Sequence, residues 1–369
     1  MLARSRRFGA GAGGAEMRFF PIAVLALFLA LPSHADVLVH LKDGRTITVP
    51  VEPDEVRSVE FVRGSKAAKL PPASTSAGPQ VWKVGPGLPL AAPSAAAKVA
   101  ENGDTVEIAA AIYDSDVAVW RQSNLTLKGV GGRPHLRAAG RAAQGKAIWV
   151  IRGNNVRIEN IEFSGTAVDD HNGAAIRGEG NGLTLDGVSA HDNQMGIMIG
   201  KFPDSDVVIT KSLFYNNYVR GRSRPIGHNI YIGNVRSFTL TQSKVYGARI
   251  GHNVKSRARQ TIIANNAIFD GADGRASYQI DLAAGGIARI EGNRIEQGTA
   301  PENTTLLSYG AEEAIHAENR LAVIGNVFRN AYRSGTFVHN HMDIPAELKG
   351  NKMIGAGVIL RGKGTIDGK

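Results

Sequence analysis

The chain has 369 residues, of which 43% are hydrophobic, 21% charged and only 6% aromatic, with 44 glycines. This is a soluble, globular balance that suits a fold of frequent tight turns with little room inside. Cysteine is absent, which excludes disulfides, thiolate metal sites and a lipidated N-terminal cysteine, and the formal net charge is +10.

Residues 1–35 read as a secretory signal. Arg18 precedes an apolar run from Phe19 to Leu31, and Ser33-His34-Ala35 places small residues at the positions a signal peptidase requires. The run is too short to span a bilayer. Cleavage after Ala35 makes the protein periplasmic or secreted, with no transmembrane segment left. It removes four arginines and one glutamate, leaving 39 Lys+Arg against 32 Asp+Glu, a net charge of +7. Such a surface favours a polyanion. For an exported protein that means an acidic polysaccharide rather than nucleic acid, although an excess of this size is also ordinary for a chain of this length. A monomer is expected.

Residues 36–64 form a small β module. Val37, Val39 and Leu41 alternate, Asp43-Gly44 marks a hairpin turn, and Ile47, Val49 and Val51 alternate again. Residues 65–80, rich in Ala, Pro and Ser, read as a linker. The main domain covers residues 81–369. Pro93-Ser94 followed by Ala95 to Ala100 predicts a short helix with Ser94 as N-cap, placed to cover the open end of a solenoid.

Beyond it the chain repeats. Strings such as Val156-Arg-Ile-Glu, Leu183-Thr-Leu-Asp, Val207-Val-Ile-Thr and Phe238-Thr-Leu-Thr recur, and each leads into a register position. These positions are Ile161, Val188, Ser212, Ser243, Asn266, Asn293, Asn326 and Asn351, spaced by 27, 24, 31, 23, 27, 33 and 25 residues. A rung of that length holds two or three short strands and their turns. A polar side chain repeated at one bend can hydrogen-bond to its copies above and below, at about the 4.8 Å spacing of stacked strands. The asparagines are therefore read as structural.

A second strand in each rung carries inward aliphatics at Ile176, Ile197, Ile230, Val254, Ile280, Leu307 and Val338. Period-two alternation then predicts an outward grid. Its central column is Arg177, Met198, Tyr231, Lys255, Asp281, Ser308 and His339. Two residues earlier stand Asn229, Asn253 and Gln279, among others, and two residues later Glu179, Gly200, Gly233, Arg257, Ala283, Gly310 and His341. The glycines there are expected to leave room for a polymer lying in a groove.

These features resemble the right-handed parallel β-helix proteins of the pectate-lyase-like superfamily over roughly residues 81–361. A leucine-rich repeat would need a Leu-x-x-Leu-x-Leu string, which is missing. The expected fold is therefore all-β, a right-handed parallel β-helix with a helical cap and a small N-terminal β module. The function this suggests is β-elimination on a uronic-acid polysaccharide. Non-catalytic carbohydrate binding and C5 epimerisation are alternatives.

Elimination needs a cation on the substrate carboxylate, a base for the C5 proton and an acid for the leaving oxygen. Arg257 is the candidate for the carboxylate, Lys255 for the base and Tyr231 for the acid, with Asp281 orienting Lys255 or binding a metal. The alternative is an exposed cross-rung ion pair between Lys255 and Asp281. Asn229, Asn253, Gln279, Arg177 and His339 are candidates for substrate binding. His228 and His252, equivalent on adjacent rungs, could act as base and acid, hold a metal together, or simply repeat with the turn.

Val254-Lys255-Ser256 is similar to the Val-Lys-Ser of the chondroitinase B and alginate lyase family. That similarity implies a base role for the lysine and makes Ca²⁺ a candidate cofactor. The chain departs from that family's pattern after the lysine, with Gln279 and Asp281 in place of an arginine, and before it, where Ala248 to Asn253 hold no carboxylate. The paired carboxylates Asp169-Asp170, and Glu312-Glu313 in a comparable turn, could suggest hydrolysis but are read as acidic turn residues. The Asn-Thr-Asp, Gly-His-Gly and Arg-Ile-Lys strings of polygalacturonase-like hydrolases are absent, as is the Asp-Pro-His of mannuronan epimerases.

Overall fold

A computed structural model describes residues 36–40, 46–50, 78–221 and 227–367. The chain divides into two compact units, residues 1–75 and 76–369. In the first, strands Asp36–His40 and Thr46–Pro50 pair antiparallel, with Val37 opposite Val49 and Val39 opposite Ile47. The expected signal segment and most of the linker lie outside the described residues.

The second unit is a parallel β-solenoid. One sheet has twelve strands and two have ten, and the chain visits the three in turn, so each revolution adds one strand to each sheet. The first sheet runs from Val81–Val84 to Gly364–Ile366, the second from Ile112–Asp114 to Lys352–Gly355 and the third from Ala118–Trp120 to Val358–Arg361. Each predicted aliphatic lies opposite its predicted neighbour, from Ile176–Ile197 through Ile230–Val254 to Leu307–Val338. All seven are fully buried. They pack with a second column from the first sheet, including Ile158, Leu185, Ile209, Leu240, Ile263 and Ile290.

The bend from the first to the second sheet explains the asparagines. Just before each register position stands a residue in the left-handed region: Asn160, Gly187, Lys211, Gln242, Asn265, Gly292, Gly325 and Gly350, with φ between 49° and 65°. That conformation suits Gly and Asn, which explains their abundance at the bend. The residue that follows turns its side chain inward, and from Ser212 onward that side chain accepts a backbone N–H of the preceding rung. Ser212 Oγ accepts from Val188 at 3.1 Å, Asn266 Oδ1 from Ser243 at 2.8 Å, and Asn293, Asn326 and Asn351 each from the previous asparagine at 2.9 Å. This ladder lies in the register the repeat predicts.

The helix is Pro93–Ala96. Proline at the first helical position explains its start, since the missing N–H would have no intrahelical partner there. Ser94 is inside the helix rather than at its N-cap, which is Ala92 and makes no side-chain cap. Ala96 packs into the core.

Candidate active site

Register places the central column of the third sheet as expected. Arg177 pairs with Met198, Met198 with Tyr231, Tyr231 with Lys255, Lys255 with Asp281, Asp281 with Ser308 and Ser308 with His339. Adjacent turns therefore bring Tyr231, Lys255 and Asp281 side by side on the outer face. Lys255 Nζ lies 3.0 Å from Asp281 Oδ2. Arg257, two residues along, donates from Nη1 to the Tyr231 hydroxyl at 2.7 Å and stacks over its ring at 5.3 Å.

The site is completed by a residue that sequence reasoning left as an ordinary acidic turn residue. Glu312 bridges the two cations: Oε1 accepts from Lys255 Nζ at 2.8 Å, and Oε2 from Arg257 Nη2 at 2.6 Å and Nε at 3.0 Å. Glu312 belongs to the turn two rungs beyond Lys255. Its backbone N–H donates to Ala283, and Ala283 separates the Arg257 rung from the Gly310 rung in the column. The Met342 side chain fills the space over Gly310, where a Cβ would meet its Cγ at 2.3 Å. From the same turn, His316 Nε2 hydrogen-bonds the Arg257 carbonyl at 3.0 Å.

This is not the exposed ion pair weighed from sequence. Lys255 is 8% and Asp281 3% exposed, so the pair sits where desolvation matters. Burial pushes the Asp281 carboxyl up despite the Lys255 charge that opposes it. Burial also tends to raise Glu312, but its hydrogen bonds from Lys255 and Arg257 outweigh that and hold it below the usual carboxylate range. Asp281 Oδ1 is buried without a partner.

His228 and His252 stack on adjacent turns with ring centroids 4.8 Å apart, and His228 also stacks on Tyr231 at 5.6 Å. The His252 backbone N–H donates to His228 Nδ1 at 2.9 Å, which leaves the His228 proton on Nε2. Burial, then the charges of Lys255 and Arg257, push His228 down to about 3. Burial and His228 hold His252 well below its ordinary value. Both rings are therefore neutral at pH 7. His252 Nε2 stands 3.4 Å from Asp281 Oδ2.

Three expected ligand-binding residues are corrected by the structure. Asn229, Asn253 and Gln279 point inward, at 0%, 0% and 1% exposure. They form a second ladder in which Asn217 Nδ2 donates to Asn229, Asn229 to Asn253 and Asn253 to Gln279, at 2.8, 2.7 and 2.7 Å. Strict alternation fails at the strand entry, where two successive residues face the core: Asn229 with Ile230, Asn253 with Val254 and Gln279 with Ile280. The outward column lies three residues before the central one instead, and holds Met195, His228, His252 and Tyr278.

Arg177 stands in the same column two turns before Tyr231, with Met198 between them. It lies with Lys146 and Arg152 around Glu179, at 3.9, 2.7 and 3.3 Å. His339 stacks on His341 with ring centroids 3.6 Å apart, beyond Ser308. Gly200 and Gly233 sit against close neighbours. A Cβ on Gly233 would meet the Gly200 carbonyl at 2.2 Å, and one on Gly200 would meet the Phe202 ring at 3.2 Å. Those glycines serve close packing.

Calcium takes six to eight oxygen ligands. Around Lys255 the described carboxylates are Asp281 and Glu312, both paired to cations. This donor set does not fit the ion.

Among solved structures, pectate lyase Pel9A overlays 79% of this chain and 78% of that enzyme at 12% identity, with a TM-score of 0.53. Alginate lyase from Paenibacillus sp. str. FPU-7 overlays 78% of this chain and 99% of its own, at 14% identity and a TM-score of 0.47. Pectin methylesterase PemA from Erwinia chrysanthemi overlays 78% and 93%, at 12% and 0.46. No known family profile matches the sequence, and no curated protein does. At such identity the pectate lyase similarity speaks for fold alone. The chain is a right-handed parallel β-helix, the fold it shares with pectate lyase Pel9A.

Proposed function

We propose that the protein is an exported lyase that cleaves a uronic-acid polysaccharide by β-elimination at the Tyr231–Lys255–Arg257–Asp281 cluster. The observation that carries this reading is the Glu312 bridge. One carboxylate is held at once by Lys255 and by two nitrogens of Arg257. The cations therefore converge at the spacing that one uronate carboxylate requires, and Glu312 stands in for that group. The net positive charge of the chain favours capture of such a polymer.

The chemistry assigned is as follows. A substrate carboxylate displaces Glu312 and is bound bidentately by Arg257, which acidifies the C5 proton. Lys255, released from Glu312, passes a proton to Asp281, 3.0 Å away, and its neutral amine removes the C5 proton. The Tyr231 hydroxyl gives its proton to the departing O4 as the C4–O4 bond breaks and the C4–C5 double bond forms. Tyr231, left as phenolate beside Arg257, recovers a proton from solvent, and Asp281 releases to solvent the one it took from Lys255, which restores the starting state. No step requires calcium.

Incubation of the protein with a panel of uronic-acid polymers, read by absorbance near 232 nm for the unsaturated product, tests the reading. A rise with at least one polymer is expected, with and without Ca²⁺. No rise with any polymer across a range of pH defeats it. Solvent deuterium entering an intact polymer, with no cleavage, would assign epimerisation instead. Retention of polymer with neither signal would assign binding alone.

A further inference from the structure

We propose that His135, Glu162 and His191, on three adjacent turns of the second sheet, form a binding site for a divalent transition-metal ion of the Zn²⁺ class. The site is separate from the Lys255 cluster and does not depend on the proposed reaction.

Register brings the three together: Glu162 pairs with His135 on one side, and Ser164, two residues on, pairs with His191 on the other. One ligand atom from each converges, all within 4.8 Å of one another. His135 Nδ1 lies 3.6 Å and His191 Nε2 3.1 Å from the same oxygen, Glu162 Oε1. Two donors bound to tetrahedral zinc at its usual bond lengths stand about 3.3 Å apart. These two spacings bracket that value, and the two histidine nitrogens lie within 4.8 Å of each other.

The surroundings match a metal site more closely than an ion pair. Each histidine has a partner on the ring nitrogen that faces away from the shared point. His135 Nε2 bonds Ser164 Oγ at 2.7 Å, and His191 Nδ1 bonds Asp192 Oδ2 at 2.8 Å. Such partners set the tautomer and aim the other nitrogen's lone pair at the ion, as in carboxylate–histidine–zinc triads. Among the described residues no lysine or arginine pairs with Glu162, whereas Glu296 on the same sheet is paired with Arg294. The side chains of His135, Glu162 and His191 are 22%, 30% and 12% exposed, which suits three protein ligands with a fourth position open to solvent. Stacking of His191 on Tyr215 at 4.6 Å holds its ring plane.

The test uses full-length protein purified without a histidine tag, stripped with chelator, and titrated with ZnCl₂ by calorimetry, with CoCl₂ as a spectroscopic probe. One ion per chain is expected, with Co²⁺ giving visible bands of nitrogen and oxygen ligation. Zn²⁺ at about 100 times its Kd should raise Tm by roughly 5 °C, because the ion ties three turns together. Glu162→Gln, which keeps the side-chain shape, and His191→Ala should each lose the stoichiometric ion while keeping the metal-free Tm and far-UV spectrum. Asp192→Asn should weaken binding about 10- to 100-fold without removing the site. Absence of a stoichiometric ion, or an ion retained in both Glu162→Gln and His191→Ala, overturns the proposal.

Discussion

Two polar columns climb this coil at the same pitch. At the first bend, Ser212, Ser243 and the asparagines from Asn266 to Asn351 repeat nearly one residue type, and each accepts the backbone N–H of the turn before it. On the outer face of the third sheet the type changes at every step, from Tyr231 to Lys255 to Asp281. That column draws in Arg257 and Glu312 and still leaves Asp281 Oδ1 and His252 Nδ1 buried without partners. A repeating column satisfies itself by copying. A changing one needs partners from elsewhere and tolerates unpaired atoms, which costs stability unless the arrangement serves a ligand. Repetition thus marks structure, and a break in repetition within a burying environment marks the candidate site.

The sharpest way to break this contrast is Lys255→Ala. Elimination should fall by about 10³-fold or more in kcat, read at 232 nm, while the fold by circular dichroism stays intact. Activity that survives would make the changing column a structural network like the other. Asn293→Ala strikes the uniform column. It removes the acceptor for the Asn266 N–H and amide and should cost roughly 2–4 kcal/mol in urea unfolding, with the remaining activity per folded molecule unchanged.

Acid should also separate the two columns, since asparagines do not titrate and His228 does. The native value of His228, about 3, lies below its ordinary 6.5. Between those limits the unfolded chain takes up a proton that the native state refuses, so stability falls as pH falls through that window. From pH 6.5 to pH 5 the loss from His228 is roughly 2 kcal/mol. His252 acts in the same sense, and the raised carboxyl of Asp281 in the opposite one. Urea midpoints measured across this range should lose much of their slope in His228→Asn. Glu312→Gln should tighten polymer binding several-fold by freeing Lys255 and Arg257, as read by affinity electrophoresis. The smallest effect concerns the bend. Lys211 holds a positive φ of 49° without the freedom of glycine, so Lys211→Gly should stabilise by about 0.5–1 kcal/mol.

Much of this was legible in the residues. Alternation and the Asn-rich bend set the register of both the aliphatic column and the Tyr231–Lys255–Asp281 column, because a parallel coil turns sequence spacing into vertical neighbours. Asn229, Asn253 and Gln279 were misread because alternation is a property of straight strands, and the chain is still turning at those positions. Glu312 escaped because its side chain reaches across two rungs, a distance that no pairwise register expresses. Ser94 was taken as an N-cap although the proline before it already satisfies the helix start. The His135–Glu162–His191 triad lies on the strand between the two that the repeat made conspicuous. Only a pitch of one turn separates its members, so the same register argument applied to that strand would have found it.

The inner ladder changes hands between Asn217 and Asn229, 12 positions apart. Asn217 stands before an excursion of the chain and Asn229 after it, yet the two amides meet at 2.8 Å as though nothing lay between. A molecule built this way can acquire new loops without retuning its interior, because continuity depends on which amide arrives at the rung and not on the route the backbone took.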